Sequence, residues 1–344
     1  MRQVPRHRWL FYFLLFFGAV SFRACKKEPP PSFDITTPQS PGPFEPSFAQ
    51  LVEGESYNHQ VNDDVAVCAS CHPHHVQDWQ SSAHAFSSFN NPLYRVAFDD
   101  YVKEAGQEKA AFCGGCHDPS LLFAGALKKT VQPNDARGHV GVSCNGCHGI
   151  ESITFDGVGS YHLSTAPIPL PRENDAASLE AHIKRVGKPV LKTNEFCISC
   201  HRGFLSQGSG HETFVAALDE YGPWRRSVHA GTQSRFLLGE GKGQSCVDCH
   251  MPSGPQEKVL HSHRFVGGHT TLAAMLADSN QLEAQEAFLK NRVQVDVPVW
   301  GIGRSKGLLT SEPIQVNAGE KLWFDVVVTN RLVGHQYPGG ARDL

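Results

Sequence analysis

Cysteine and histidine recur along this chain in one fixed order, Cys-x-x-Cys-His. The five copies are Cys68, Cys71 and His72; Cys113, Cys116 and His117; Cys144, Cys147 and His148; Cys197, Cys200 and His201; and Cys246, Cys249 and His250. In each copy two thiols can bond covalently to a porphyrin while the imidazole binds its iron. This is the attachment signature of a c-type haem.

The chain has eleven cysteines, and these motifs leave only Cys25 outside them. Paired Cys-x-x-Cys knuckles also build structural zinc sites. A zinc site does not need a histidine after every second cysteine, whereas all five copies have one. The sequence therefore predicts five covalently attached haems c, whose irons are bound on one side by the motif histidines.

Histidine is the predicted ligand on the second side of each iron. Methionine is the usual alternative, but the chain has only Met1, Met251 and Met275, and Met251 directly follows a motif histidine. Nineteen histidines minus the five in motifs leave fourteen candidates. Mostly bis-His coordination with low reduction potentials is the expectation.

An internal repeat ranks these candidates. Trp79 to His84 and Trp224 to His229 share the pattern W-x-x-S-x-H. On a helix, such a tryptophan can pack on one macrocycle while the histidine reaches an iron; the alternative is a surface helix with a chance histidine. Four further histidines are candidates from their positions beside motifs or in Gly-rich turns: His139, His263, His269 and His335. For His335 the alternative is a solvated turn residue.

The elements that position these residues must be short. The motifs begin at residues 68, 113, 144, 197 and 246, which leaves too little chain for a separate apolar core around each haem. The haems themselves are expected to form the core of a mostly α-helical and irregular domain, residues 55–290. Helical patterning is clearest at Ala83–Gly106, Glu212–Tyr221 and Thr271–Lys290.

A β-rich segment is predicted at residues 291–344. Valines alternate from Val293 to Val299, and further strands are expected at Pro313–Val316 and Lys321–Asn330. These strands resemble the opening half of a β-sandwich. Since three strands leave an open sheet edge, we expect the chain to be a fragment of a longer protein.

The N-terminus predicts export. In residues 1–24, Arg2, Arg6 and Arg8 precede the apolar run Trp9–Val20, which is shorter than the roughly 20 residues that span a bilayer. Cys25 follows where lipidation could occur; the alternative is cleavage after Ser21 with a spare thiol. Residues 25–54 are rich in proline and are expected to form a tether. The formal charge is −3. The sequence shows no basic patch, so it does not predict nucleic-acid binding.

The strings CASCHPHHVQDWQSSAH, WRRSVHA, GVSCNGCHG and CVDCHMP followed by HRF resemble multihaem cytochromes c with a cytochrome c-554-type domain. The resemblance covers roughly residues 65–270, and the tail NRLVGHQYPGG is similar to the β-rich extension that often follows such domains. It implies electron transfer between redox partners in the bacterial cell envelope. Some relatives are instead oxidoreductases acting on nitrite or hydroxylamine; the pentahaem nitrite reductases use a motif ending in lysine, which is absent here.

Overall fold

The computed structural model describes residues 44–209, 211–230, 243–253, 261–302, 305–308 and 313–340. The predicted signal peptide, Cys25 and most of the tether lie outside these residues. All described residues belong to one unit, Ile35–Leu344. Nothing in the structure therefore tests the predicted division at residue 290.

Short helices dominate, and most begin at a polar capping residue. They are α1 (His59–Asn62), α2 (Val65–Ala69), α3 (Pro73–Gln80), α4 (Pro92–Ala105), α5 (Gln107–Ala110), α6 (Gly114–His117), α7 (Pro119–Phe123), α8 (Cys144–His148), α9 (Ala176–Val186), α10 (Asn194–Ile198), α11 (Tyr221–Arg226), α12 (Cys246–His250), α13 (Thr270–Met275) and α14 (Ser279–Leu289). Short 3₁₀ turns lie at Ala111–Cys113, Ala126–Lys128, Ala136–His139, Pro189–Lys192 and Val228–Ala230.

Three small sheets accompany the helices. β1 (Gln50–Leu51) pairs in parallel with β3 (Tyr161–Leu163), which pairs antiparallel with β2 (Ile150–Ile153). β4 (Arg202–Leu205) and β5 (Val215–Asp219) form an antiparallel pair. β6 (Val293–Ile302) lies between β7 (Ser305–Leu308) and β8 (Leu322–Asn330), both antiparallel to it. The expected mixture of short helices and small sheets is confirmed.

A cluster of buried apolar side chains lies between residues 49 and 163. Helix α4 contributes Phe98, helix α7 contributes Leu121, and strand β3 contributes Leu163. The side chains of the C-terminal sheet are far more exposed, with Val326 and Val328 at 61% and 53%. The apolar cluster therefore supports the chain around the first three motifs.

Asp63 ties the N-terminal helices to this cluster. Its carboxylate accepts hydrogen bonds from the hydroxyls of Tyr57 (2.6 Å), Ser120 (2.7 Å) and Ser143 (3.0 Å). Ser143 is the N-cap of α8, and its hydroxyl also accepts from the Gly146 N–H. The buried carboxylate therefore helps to hold the start of the third motif helix.

Two of the predicted helices are corrected by the structure. Of Ala83–Gly106, only α4 is helical, because Asn91 and Pro92 start the helix and Gly106, at φ +91°, ends it. Glu212–Tyr221 instead contains β5, whose backbone pairs with β4. Hydrogen bonding to the neighbouring strand outweighs the helical spacing there. The local sequence pattern contains no information about that neighbour.

The remaining predictions differ less. Thr271–Lys290 is helical but divides into α13 and α14, because Asp278 caps a new helix after Ala277 at φ +52°. Pro313–Val316 is not a strand, and β7 takes the place beside β6. The third expected strand is confirmed as β8. The described strands after residue 290 form one three-stranded sheet, β7-β6-β8. A β-sandwich is not established.

Candidate functional site: paired imidazoles beside the haem motifs

Each Cys-x-x-Cys-His motif lies on or beside a short helix. On a helix, positions i, i+3 and i+4 share one face, so both thiols and the histidine can point toward one macrocycle. Polar N-caps start four of these helices: Asp64 for α2, Ser143 for α8, Thr193 for α10 and Ser245 for α12. Local capping therefore orients the motifs.

Backbone carbonyls hold several of the imidazoles through Nδ1. Three motif histidines have such a partner: His117 with Ser87 (3.0 Å), His148 with Val186 (2.7 Å) and His250 with Val266 (2.7 Å). When Nδ1–H donates to a carbonyl, Nε2 is left with the lone pair that binds metal.

Four motif histidines face a second imidazole from a distant part of the chain. A metal–imidazole bond is about 2 Å long and the ring centre lies about 1 Å beyond the nitrogen, so two imidazoles sharing one iron have centres about 6 Å apart. The observed centre separations are His72–His182 6.2 Å, His148–His263 6.2 Å, His201–His84 6.0 Å and His250–His335 6.1 Å. All four match the spacing that a shared iron requires.

Three of the four second members, all but His84, have a partner at Nδ1 as those motif histidines do. Nδ1 of His182 lies 2.8 Å from the Pro169 carbonyl, and Nδ1 of His263 lies 3.0 Å from that of His261. Nδ1 of His335 lies between the Gln336 carbonyl (2.9 Å) and Glu220 Oε2 (2.8 Å). These imidazoles also keep Nε2 available for a metal.

Burial keeps the most enclosed imidazoles neutral. Burial, together with neighbouring histidines, lowers the pKa of His84 to about 3 and the pKa of His201 to about 4. Burial likewise lowers the pKa of His263 to about 4. The neutral imidazole is the form that ligates iron, so this environment suits metal binding.

The second motif has a different neighbour. The ring of Tyr94 stacks on His117 with centres 4.6 Å apart and planes 18° apart. That distance is too short for an iron between the rings. The Tyr94 hydroxyl and the Ser88 hydroxyl both donate to buried Asp118. Among the described residues, no second imidazole forms a ring contact with His117.

Thiols from different motifs also meet. The thiols of Cys68 and Cys144, of Cys116 and Cys200, and of Cys197 and Cys246 lie close enough to shift one another's pKa, and Cys116 Sγ also lies 3.8 Å from the Cys200 carbonyl. In the first pair, the contact with Cys144 lowers the pKa of Cys68 to about 7. The first motif therefore lies beside the third, the second beside the fourth, and the fourth beside the fifth.

Apolar surface lies open beside the first of these contacts. A cleft next to Cys68 and Cys144 is lined by Val61, Val65, Val67, Ile168 and Leu170. Leu170 and Val61 are 59% and 60% exposed, and Ile183, beside His182, is 56% exposed. Exposed apolar side chains around thiols and imidazoles fit the face of a porphyrin, which would cover them.

Three predicted second ligands, His84, His263 and His335, lie opposite motif histidines, and three do not. The ring of His139 instead binds the Pro133 carbonyl through Nε2 (2.9 Å). Nδ1 of His229 lies 2.9 Å from Gln244 Oε1, and exposed His269 is the N-cap residue of α13. None of the three forms a ring contact with a motif histidine within the described part of the chain.

Sequence reasoning missed His182, which the structure places opposite His72. It lies on α9, which Asp175 caps and which ends before Gly187. The apolar side chains Leu179, Ile183 and Val186 share this helix with it. A histidine among apolar residues on a capped helix was the available signal, but it does not identify which iron the histidine faces.

The W-x-x-S-x-H repeat has a structural meaning other than the expected one. Trp79 Nε1–H donates to the Val142 carbonyl (2.8 Å), and the Val142 N–H donates to the His84 carbonyl (2.9 Å). In the second copy, Trp224 and His229 make the same two bonds to Gln244 (3.0 and 2.7 Å). In each copy, the Trp side chain and the His carbonyl thus hydrogen-bond to the backbone of the residue two positions before a motif cysteine. We call this pair of hydrogen bonds the bracket.

This bracket corrects the helical interpretation of the repeat. Helix α3 ends at Gln80, so His84 lies beyond it, and His229 lies in the 3₁₀ turn after α11. The contact common to both copies is with the backbone of a haem motif loop. Of the two histidines, only His84 also faces a motif imidazole.

The chain was compared with known protein families and structures. Residues 67–149, which contain the first three motifs, match the family described as cytochrome c554 and c-prime. The chain is also similar to a penta-heme cytochrome c552 from Thermochromatium tepidum, at 22% identity and a TM-score of 0.45, over 80% of this chain and 67% of that one. No curated protein matches the chain.

The resemblance drawn from the motif strings is therefore confirmed. Residues 67–149 form a domain of the cytochrome c554 type, and this match supports covalently bound haem c as the cofactor. The motif cysteines would hold the haems, and the paired imidazoles would supply the axial ligands that set the redox chemistry of each iron. In the described residues, no helix is both long and apolar enough to cross a membrane.

Proposed function

We propose that this protein is an electron-transfer cytochrome that carries five haems c in the bacterial cell envelope. The observation that carries the proposal is the set of four imidazole pairs with ring centres 6.0–6.2 Å apart. An iron bound by two histidines has no position for a substrate. Such an iron is suited to reversible one-electron changes, with the protein setting distance and potential.

In this proposal the first, third, fourth and fifth haems form one path, and the second haem lies beside the fourth. The thiol contacts support neighbours in the order first to third and fourth to fifth, with the second beside the fourth. Phe265 supports the step from third to fourth, since its ring packs on His84 (4.2 Å) and His263 (5.8 Å). Short gaps between cofactors let an electron cross the protein by tunnelling.

The partners in this proposal are other redox proteins of the cell envelope, one donating and one accepting electrons. The predicted signal peptide would direct the chain out of the cytoplasm. Haem is attached to the motif thiols outside the cytoplasm. Acyl chains on Cys25 would attach the protein to a membrane, and the Pro-rich tether would hold the haem domain away from its surface.

The second motif separates this proposal from the catalytic alternative. The motif at His117 lacks an imidazole partner among the described residues, so its iron would keep one position open. An oxidoreductase acting on nitrite or hydroxylamine would need such a position together with acid–base groups. We favour electron transfer because the other four motifs are all paired.

Haem stoichiometry and carbon monoxide binding test the proposal. A pyridine haemochrome assay with intact mass should give five haems per chain, and carbon monoxide should bind one reduced haem in five. Fewer than five haems would overturn the count. Binding at two or more haems would overturn the pairings, and no binding would overturn the open position at His117. Turnover of nitrite or hydroxylamine at that haem would favour the enzyme.

A further inference from the structure

Glu220 places a carboxylate between two haem motifs. Its side chain is 19% exposed. Its backbone N–H donates to the carbonyl of His201, the motif histidine of the fourth copy (3.3 Å). Its Oε2 lies 2.8 Å from Nδ1 of His335, and its Oε1 accepts the N–H of Gly340. Glu220 therefore contacts the backbone of one motif histidine and the proposed second ligand of the fifth motif.

The loop around His335 is shaped for this contact. A Cβ atom at Gly339 would lie 3.0 Å from Glu220 Oε1 and 3.3 Å from the His335 ring, so a side chain there would crowd the carboxylate. On the other side of His335, Gly334 packs near Trp224 and His229. The carboxylate and the bracket of the fifth motif thus hold the loop from both sides.

The other paired imidazoles have neutral partners or none. Nδ1 of His148, His182, His250 and His263 lies beside a backbone carbonyl, and Nδ1 of buried His84 has no hydrogen-bond partner. Within the described residues, His335 is the member of the four pairs whose Nδ1, hydrogen-bonded to the Gln336 carbonyl, also has a carboxylate beside it, Glu220 Oε2 at 2.8 Å. This difference distinguishes the proposed haem at Cys246–His250 from those of the other three pairs.

We infer that Glu220 is a positioning residue for His335 and that its carboxylate lowers the midpoint potential of the haem at Cys246–His250. A carboxylate close to Nδ1–H makes the imidazole a stronger donor to its metal. The stronger donor and the nearby negative charge both favour ferric over ferrous iron, because the ferric centre carries the larger positive charge. The inference rests on the proposed function, since it takes His335 as a haem ligand.

Glu220→Gln tests this inference because the amide keeps the size of the side chain and removes its charge. Spectroelectrochemical titration of the haem-loaded protein should show one haem midpoint shifted upward and the other four unchanged, with the same haem count. Glu220→Ala should release His335 and raise the number of haems that bind carbon monoxide from one to two. Exposed Glu283 on α14 gives the matched control, Glu283→Gln, which should leave every midpoint in place.

His335→Ala separates failure of the inference from failure of the assigned ligand. If this variant binds carbon monoxide at a second haem but Glu220→Gln shifts no midpoint, Glu220 only packs the loop and the inference is wrong. If His335→Ala binds no additional carbon monoxide, His335 is not a ligand. In that case the proposed pairing fails along with the inference. A downward shift in Glu220→Gln would also contradict the inference.

Discussion

In the proposed pairings, the second imidazole has its ring centre about 6 Å from that of a motif histidine, and in three of the four pairs the fold also occupies its Nδ1. His182 meets both conditions, with its Nδ1 at the Pro169 carbonyl and its ring 6.2 Å from His72. His139 meets neither, since Nε2, the atom that would bind iron, is bound to Pro133. The two residues therefore form a natural pair for comparison.

His182→Ala should convert the haem at Cys68–His72 from low spin to high spin, because the substitution removes one of its two axial ligands. All five haems should stay attached, since the thiols are untouched. Electron paramagnetic resonance and carbon monoxide difference spectra measure the change. His139→Ala is the control and should match the parent spectra. Equal spectra for both variants would refute the pairing of His72 with His182.

Among the elements, α9 connects two haem motifs. It carries His182 for the first motif, and its Val186 carbonyl accepts Nδ1–H of His148 in the third. The guanidinium of Arg185 donates to the carbonyls of His148 (3.2 Å), Ser164 (3.2 Å) and Ala166 (3.1 Å). One capped helix therefore holds the imidazole that faces one haem motif and the backbone of a second motif.

Arg185→Met should lower the free energy of unfolding by about 2–3 kcal/mol, the typical contribution of hydrogen bonds that involve a charged group. The side chain is only 11% exposed, so water cannot replace the lost donors. Arg172, 78% exposed and paired with Asp175 at the start of the same helix, is the control. Arg172→Met should cost less than about 1 kcal/mol, as for other surface ion pairs.

Urea denaturation of the haem-loaded variants, followed by circular dichroism, gives both values. Equal losses for Arg185→Met and Arg172→Met would mean that Arg185 does not anchor α9 to the third motif.

For the whole molecule, the proposed function requires both internal electron transfer and a position near redox partners. The described residues contain the haem motifs. The predicted signal peptide and Cys25, the proposed site of membrane attachment, lie outside the described residues. A single lipidated cysteine followed by a Pro-rich tether would let the haem domain reach several partners from one membrane surface.

Cys25→Ser should move the protein from the membrane fraction to the soluble fraction, because the hydroxyl cannot carry the thioether-linked lipid. Fractionation with haem-stained gels measures the distribution, and metabolic labelling with a radioactive fatty acid should disappear in the variant. Ser32→Ala, in the same segment, is the control. Continued membrane association of Cys25→Ser would point instead to a retained helix or to a protein partner.

Much of the candidate site was predictable, because haem attachment is encoded locally. His84, His263 and His335, predicted from their positions near motifs or in Gly-rich turns, lie about 6 Å from motif imidazoles, and their role as ligands stays a prediction. The W-x-x-S-x-H repeat has a further role that residue spacing does not reveal. In both copies it contacts the backbone of the residue two positions before a motif cysteine.

The haem motifs and the alternation that produces β6 and β8 can be recognised in the amino-acid sequence, since each depends on residues close together in the chain. Which imidazole faces which motif depends instead on tertiary packing. His72 and His182 are 110 residues apart, and β5 became a strand only because β4 lies beside it. Such pairings depend on how distant segments pack against one another, a property that no local window of sequence contains.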